Sequence, residues 1–329
     1  LAHRLMAEAG DPWARVISPG TVPSQLDGVL AATPDPLVAP TGMPAAKTAR
    51  GALAPAFDLL ATREGHRERA SQRRMSADVA HVLDDGGRLL VEAPTGTGKS
   101  LAYLIPAIGR AAEHPVVIAT HTKVLQRQLH DDAMMLREQG LLTIPYRQLQ
   151  GVSNYLCVRE IAETIELRDI TGSAWLAVAV AVRALDASPG GVWDDVTDLV
   201  RRRGDGRYAS ARATLSTTSA ACARRNCEWA EQCPMMQRLD DIVKRPGIIA
   251  ANHALVAHWL AGEPAAAPAG MFDSVPTALI LDEAHTVEDS MASAWAGRVG
   301  ARSLRRLVSW GFHRRGPVAA ARRAARATG

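Results

Sequence analysis

Eight residues constrain this chain more than any others: Ala93-Pro94-Thr95-Gly96-Thr97-Gly98-Lys99-Ser100. They fit the pattern Ala/Gly-x4-Gly-Lys-Ser/Thr, directly after a short apolar run and at the start of a stretch with helical spacing. A loop that wraps a phosphate must point backbone N–H groups inward, and glycine lets it do so without a Cβ in the way. The helix that starts there adds its partial positive charge. On this reading Lys99 reaches the β- and γ-phosphates of a nucleoside triphosphate, and the Ser100 hydroxyl ligates Mg2+. The competing reading is a chance glycine-rich turn, which leaves the strand before it and the helix after it unexplained.

The surrounding pattern predicts an α/β fold with a parallel sheet. Glu68–Leu83 has helical spacing, and Arg88–Glu92 reads as a short buried strand between Gly86-Gly87 and Pro94. A helix from Gly98 to about Ala112, a strand at Val116–Thr120 and a helix around Thr122–Gln139 continue the alternation. It stops between about Gly151 and Val243, where helical stretches and all four cysteines lie. It resumes at Gly247–Asn252 and Ala278–Asp282. One sheet domain interrupted by an inserted helical module explains this order. Residues 11–56 carry proline at 12, 19, 23, 34, 36, 40, 44 and 55, a density that forbids long helices and reads as a linker or loose extension.

Composition excludes several classes. With 47% hydrophobic residues among 329, the chain is not disordered throughout. Its apolar stretches fall short of a membrane span, and no signal peptide opens it. Position 1 is Leu, which reads as a processed or truncated chain. The net charge of +4 hides an uneven distribution: residues 301–329 hold eight Arg and no acid, so the other 300 carry 30 bases against 34 acids. The basic end reads as a solvated helical face.

Two further groups carry chemistry. Ala278-Leu279-Ile280-Leu281-Asp282-Glu283-Ala284-His285 is an apolar strand ending in two carboxylates. Asp282 can hold Mg2+ through water, Glu283 can polarise the attacking water, and His285 can couple the site to the rest of the molecule. The bland alternative is a helix start capped by Asp282 and Glu283. Cys222-x4-Cys227-x5-Cys233 forms a trio, with Cys157 standing 65 residues before its first member. Zinc usually takes C-x2-C knuckles, which are absent; a 4Fe–4S cluster held by four thiolates, zinc, and inert core cysteines all stay open on spacing alone.

Taken in order, the loop at 93–100, Ala119-Thr120-His121-Thr122-Lys123-Val124-Leu125-Gln126, Asn154-Tyr155-Leu156-Cys157, the cysteine trio, Asn252-His253-Ala254-Leu255 and the Asp-Glu-Ala-His quartet resemble the DinG/XPD-type superfamily-2 iron–sulfur DNA helicases, the bacterial DinG branch above all. The resemblance runs from about Arg63 to Glu288. It implies a RecA-like motor domain interrupted by a helical iron–sulfur insertion and followed by the start of a helical arch insertion. Arg69, Gln72 and Met75 match an Arg-x-x-Gln-x-x-Met motif in which the Gln reads adenine, while His66 and Arg67 stand where Tyr and Glu are usual. Thr120, Thr122 and Gln126 would lie along a single strand's backbone, with Thr122 alternatively capping a helix. Asn252 and His253 would line the DNA path or link it to the ATP site, His253 alternatively being a core histidine. Cys157, Cys222, Cys227 and Cys233 would ligate the 4Fe–4S cluster.

The expected organisation is therefore an extension over 1–62, the motor domain over 63–150 and 244–287, the cluster insertion over 151–243 and the start of the arch over 288–329. The implied activity is ATP-dependent, 5′→3′ DNA unwinding in repair or replication. Its cofactors are ATP, Mg2+ and the cluster. Its partners are single-stranded and forked DNA, bound by a monomer in the bacterial cytoplasm and independent of membranes. No Gln-x-x-Gly-Arg motif follows the acidic quartet, so the chain reads as the N-terminal half of such a helicase. A non-enzymatic alternative, a fragment that binds nucleotide and DNA without turnover, and a zinc-stabilised ATPase that does not unwind also fit.

Overall fold

The computed structural model describes residues 46–62, 69–94, 96–166, 190–193, 212–218, 221–245, 247–260 and 278–295. Four strands, β1 (Val116–Thr120), β2 (Tyr146–Gln148), β3 (Ile248–Asn252) and β4 (Ala278–Leu281), form one parallel sheet in the order β2-β3-β1-β4. The helices are α1 (Leu53–Ala61), α2 (Ala70–Asp85), α3 (Lys99–Ala111), α4 (Lys123–Glu138), α5 (Val158–Glu166), α6 (Pro234–Lys244), α7 (His253–Leu260) and α8 (Val287–Trp295). None of the described helices is long and apolar enough to cross a membrane.

Alternation along the strands divides the apolar residues between two cores. Val116 and Ile118 with Ile248 and Ala250 face Phe57 and Leu60 of α1, Leu104 of α3, and Leu129 and Leu136 of α4. Val117 and Ala119 with Ile249 and Ala251 face Met235, Leu239 and Ile242 of α6 and Val256 and Trp259 of α7. A parallel sheet needs both faces covered, and this one has helices on each. α6 leads directly out of the cysteine-bearing region, so that region is anchored to the sheet through the second core. Arg147 of β2 reinforces the anchor by an ion pair with Asp241 of α6.

The register pairs Thr120 with Asn252 and Ala119 with Leu281. Thr120, Asn252 and Asp282 therefore leave the sheet at one edge, its carboxyl end, where open parallel sheets hold their ligands. α3 starts at this edge and runs back along the sheet. Pro106 inside α3 cannot donate to the Ala102 carbonyl. The Ser76 hydroxyl of α2 donates to that carbonyl instead, at 2.8 Å.

The α/β class and most element positions match the sequence pattern, with two corrections and one addition. Arg88–Glu92 is neither a strand nor buried: Leu90 is 91% exposed, and Leu89 and Val91 are exposed too. Arg88–Glu92 joins none of the four described strands, although among them the outer edge of β4 is open. The positive-φ pair Gly86 and Gly87 ends α2 and turns the chain away from the helix. The second correction concerns the described part, 46–56, of the segment 11–56 read as a linker or loose extension; residues 11–45 lie outside the described residues. Residues 46–62 pack onto the domain: Phe57 and Leu60 are buried, the Ala49 amide donates to Asp84 at 2.8 Å, and Arg50 pairs with Asp85. Gly109 of α3 allows this approach, because a Cβ there would stand 2.1 Å from the Thr48 carbonyl oxygen. The addition is β2, which the sequence pattern did not reveal.

Candidate nucleotide-binding site

The glycine-rich loop is held from two sides. Gly96 and Gly98 both take positive φ, 78° and 79°. Gly98 is doubly constrained, since a Cβ would lie 2.3 Å from the Gln72 side-chain nitrogen. Gln72 is buried, and its amide nitrogen donates to the Gly98 carbonyl at 3.1 Å. Arg69 donates to the Gly96 carbonyl, and Thr97 Oγ1 to the Pro94 carbonyl at 2.9 Å. The start of α2 thus clamps the loop that opens α3. Ala93 and Pro94 lead into it, while Thr95 lies outside the described residues, as do His66 and Arg67.

Across the carboxyl edge of the sheet stand the acids. Lys99 Nζ forms an ion pair with Glu283 Oε1 at 2.9 Å, and this hydrogen bond holds the Glu283 carboxyl below its usual range. Glu283 adopts left-handed φ of 52°, which turns the chain sharply off β4. Its amide donates to Asp282 Oδ1 at 3.1 Å. The following turn, Ala284–Thr286, receives no side-chain cap from Glu283, so capping does not account for this acid. His285 is exposed, its Nδ1 3.5 Å from Glu283 Oε2.

Tyr103 and Asp132 are the site residues that sequence reasoning missed. The Tyr103 hydroxyl donates to Asp282 Oδ2 at 3.2 Å. Asp132, on α4, bonds to Ser100; burial first, then its neighbour Asp131, pushes its carboxyl up to about 6. A signal was present for Tyr103. It is a polar-tipped residue in the apolar run Leu101–Gly109, one helical turn from Lys99 and Ser100 and so on their face.

The expected strand-contacting residues separate by exposure. Thr120 is fully buried, which removes its side chain from any surface a strand could touch. Thr122 is exposed and caps α4, accepting from the Leu125 amide at 3.2 Å. Gln126 is partly exposed, and its carbonyl accepts from Gln148. Asn252 caps α7 through the Leu255 amide at 2.7 Å. His253 is buried, and burial lowers its pKa, which keeps the ring neutral at neutral pH. Its Nδ1 meets Thr286 Oγ1 at 3.2 Å, and that hydroxyl bonds to the Glu283 carbonyl at 2.9 Å. His253 therefore joins the end of β3 to the acidic turn.

Cys157, Cys222, Cys227 and Cys233 line one cavity of about 450 Å3, part of it open to solvent. All four are partly buried and outside any disulfide. Burial pushes the Cys157 thiol up to about 12, with the Glu160 charge adding to it, and burial raises that of Cys233. Among the described residues no group of three or more His, Cys, Asp or Glu stands ready to hold a metal ion.

A glycine-clamped loop and a helix N-terminus facing an Asp-Glu pair across the carboxyl edge of a parallel sheet define a P-loop nucleotide-binding protein. Residues 72–168 match the family described as DEAD/DEAH box helicase. The chain is 32% identical over 270 residues to the ATP-dependent helicase DinG of Mycobacterium tuberculosis, covering 74% of this chain and 39% of that protein. It is 30% identical over 240 residues to the ATP-dependent DNA helicase DinG of Escherichia coli, covering 67% and 32%. These matches make the chain similar to the N-terminal part of the DinG-type DEAD/DEAH box helicases, and its parallel sheet with helices is consistent with a RecA-like domain. It spans less than two fifths of the length of these relatives.

Proposed function

We propose that the chain carries the ATP-hydrolysing half-site of a DNA helicase that moves 5′→3′ along single-stranded or forked DNA as a monomer. The observation that carries this reading is the Lys99–Glu283 pair, 2.9 Å apart across the carboxyl edge. In this arrangement the two charges neutralise each other. The triphosphate of ATP draws Lys99 away, which frees Glu283 to orient and polarise the attacking water. Ser100 and Asp282, a hydroxyl and a carboxylate in one network, suit Mg2+, which would neutralise phosphate charge. Gln72, held beside the loop by its bond to the Gly98 carbonyl, would sense the base, and the His253–Thr286–Glu283 link supports a coupling of strand binding to hydrolysis. Lys99→Ala should abolish DNA-stimulated ATP hydrolysis in the full-length protein; retained turnover would reject the loop assignment.

The cysteine-lined cavity supports a 4Fe–4S cluster held by Cys157, Cys222, Cys227 and Cys233. Four cysteines lining one cavity are the donor type and number such a cluster takes; since no three of them stand together as a metal-holding group among the described residues, cluster binding would have to draw them in as well as displace their protons. The cluster would add a covalent tie between segments already joined by packing and by hydrogen bonds such as Arg159 to the Ala221 carbonyl at 3.0 Å. A cleft of about 860 Å3 lies beside it, lined in part by Ser153, Arg224, Asn252 and His258, and supports a backbone-dominated path for the single strand. Anaerobic purification tests the cluster: a brown protein with about four irons is expected, whereas zinc without colour would reject it.

A second reading is favoured by the coverage of the relatives, 39% at most among those described above. On it, residues 1–329 bind nucleotide and DNA without turnover. DNA-stimulated ATPase activity of residues 1–329 separates the two: turnover supports the first reading and its absence, with nucleotide still bound, the second.

A further inference from the structure

Nothing in the loop-and-acid pattern explains why Tyr103 sits where it does. Its ring is buried in the core between α3 and the sheet, only 3% exposed, yet its hydroxyl reaches the site. That hydroxyl bonds to Asp282 Oδ2 at 3.2 Å and also meets the Ser100 hydroxyl. Ser100 in turn bonds to Asp132. One phenol therefore touches both groups that bind Mg2+ on the reading above, one from α3 and the other from the end of β4. A carboxylate only accepts, so the phenol O–H donates to Asp282. Its own oxygen can accept from Ser100, whose single hydroxyl proton is given either to Tyr103 or to Asp132.

We propose that Tyr103 is a positioning residue for the cation: it fixes the Asp282 carboxylate and the Ser100 hydroxyl in the rotamers that bind Mg2+ together. This rests on the nucleotide-site reading and adds a residue to it. The hydroxyl contributes orientation and the ring contributes packing, so removing the oxygen alone separates the two roles. Partners of this kind, one bond removed from the cation, commonly change metal affinity when lost.

The test is binding of a fluorescent ATP analogue to residues 1–329, titrated with Mg2+ and repeated in chelator. Tyr103→Phe keeps the ring volume. It should bind the analogue as the unsubstituted chain does in chelator, while the Mg2+ concentration for half-maximal enhancement rises about tenfold. Equal Mg2+ dependence in the two proteins would overturn the positioning role. Weaker binding in chelator together with an unchanged Mg2+ midpoint would assign Tyr103 to packing and overturn it equally. If the unsubstituted chain shows no Mg2+-dependent binding, the nucleotide site itself is rejected, an outcome visible before the variant is tested.

Discussion

Ser76 shows how much a single hydroxyl does in this molecule. Pro106 leaves the Ala102 carbonyl without its helical donor inside a buried helix, and Ser76 supplies one from α2. Ser76→Ala removes the donor and leaves the carbonyl unpaired away from water. Loss of about 1–3 kcal/mol of stability is expected, read as a lower urea midpoint with an unchanged slope. An unchanged midpoint would mean that water reaches the carbonyl. The loop, the acids and the cysteines were legible in the sequence because their chemistry is written in residue type and local spacing. Ser76, Tyr103 and Asp132 were not, because each matters through a partner on another element. Thr120 was misjudged as a strand contact for a related reason. Its place in the motif is local, but its burial depends on strands far away in sequence.

Among the elements, α1 was concealed by composition. Its segment Leu53–Ala61 contains Pro55 and follows a proline-dense stretch. Proline in the first helical turn lacks only an N–H that has no helical partner there, so the helix forms and buries Phe57 and Leu60. Phe57→Ala should destabilise the whole domain by about 3–5 kcal/mol. Local melting of 53–61 alone, seen by hydrogen exchange with the global midpoint unmoved, would contradict that. β2 escaped notice because three residues are too few to display a period. β1, β3 and β4 were legible because each is an unbroken apolar run, the signature of a strand covered on both faces. The same signature misled at Arg88–Glu92. An apolar run specifies that a segment can be buried, and the arrangement of neighbouring strands decides whether it is.

On the scale of the whole molecule, the sheet separates two kinds of machinery. The helices on one face carry the loop and its clamp, and α6 on the other face connects to the cysteine cavity. The sheet lies between the cysteine cavity and the nucleotide edge. The ribbon at Arg88–Glu92 has a different consequence, one that concerns the handling of the protein. Leu89, Leu90 and Val91 are exposed, and so is Leu281 on β4, whose outer edge has no partner among the described strands. Apolar ribbons and open strand edges invite pairing between molecules. Solutions of this chain should scatter more light as concentration rises, and more steeply in high salt, where screening removes the mutual repulsion of like-charged molecules. Leu90→Lys should suppress that scattering and leave the melting temperature in place. The most exposed leucine among the described residues thus sets the chain's shelf life, while the fold depends on others.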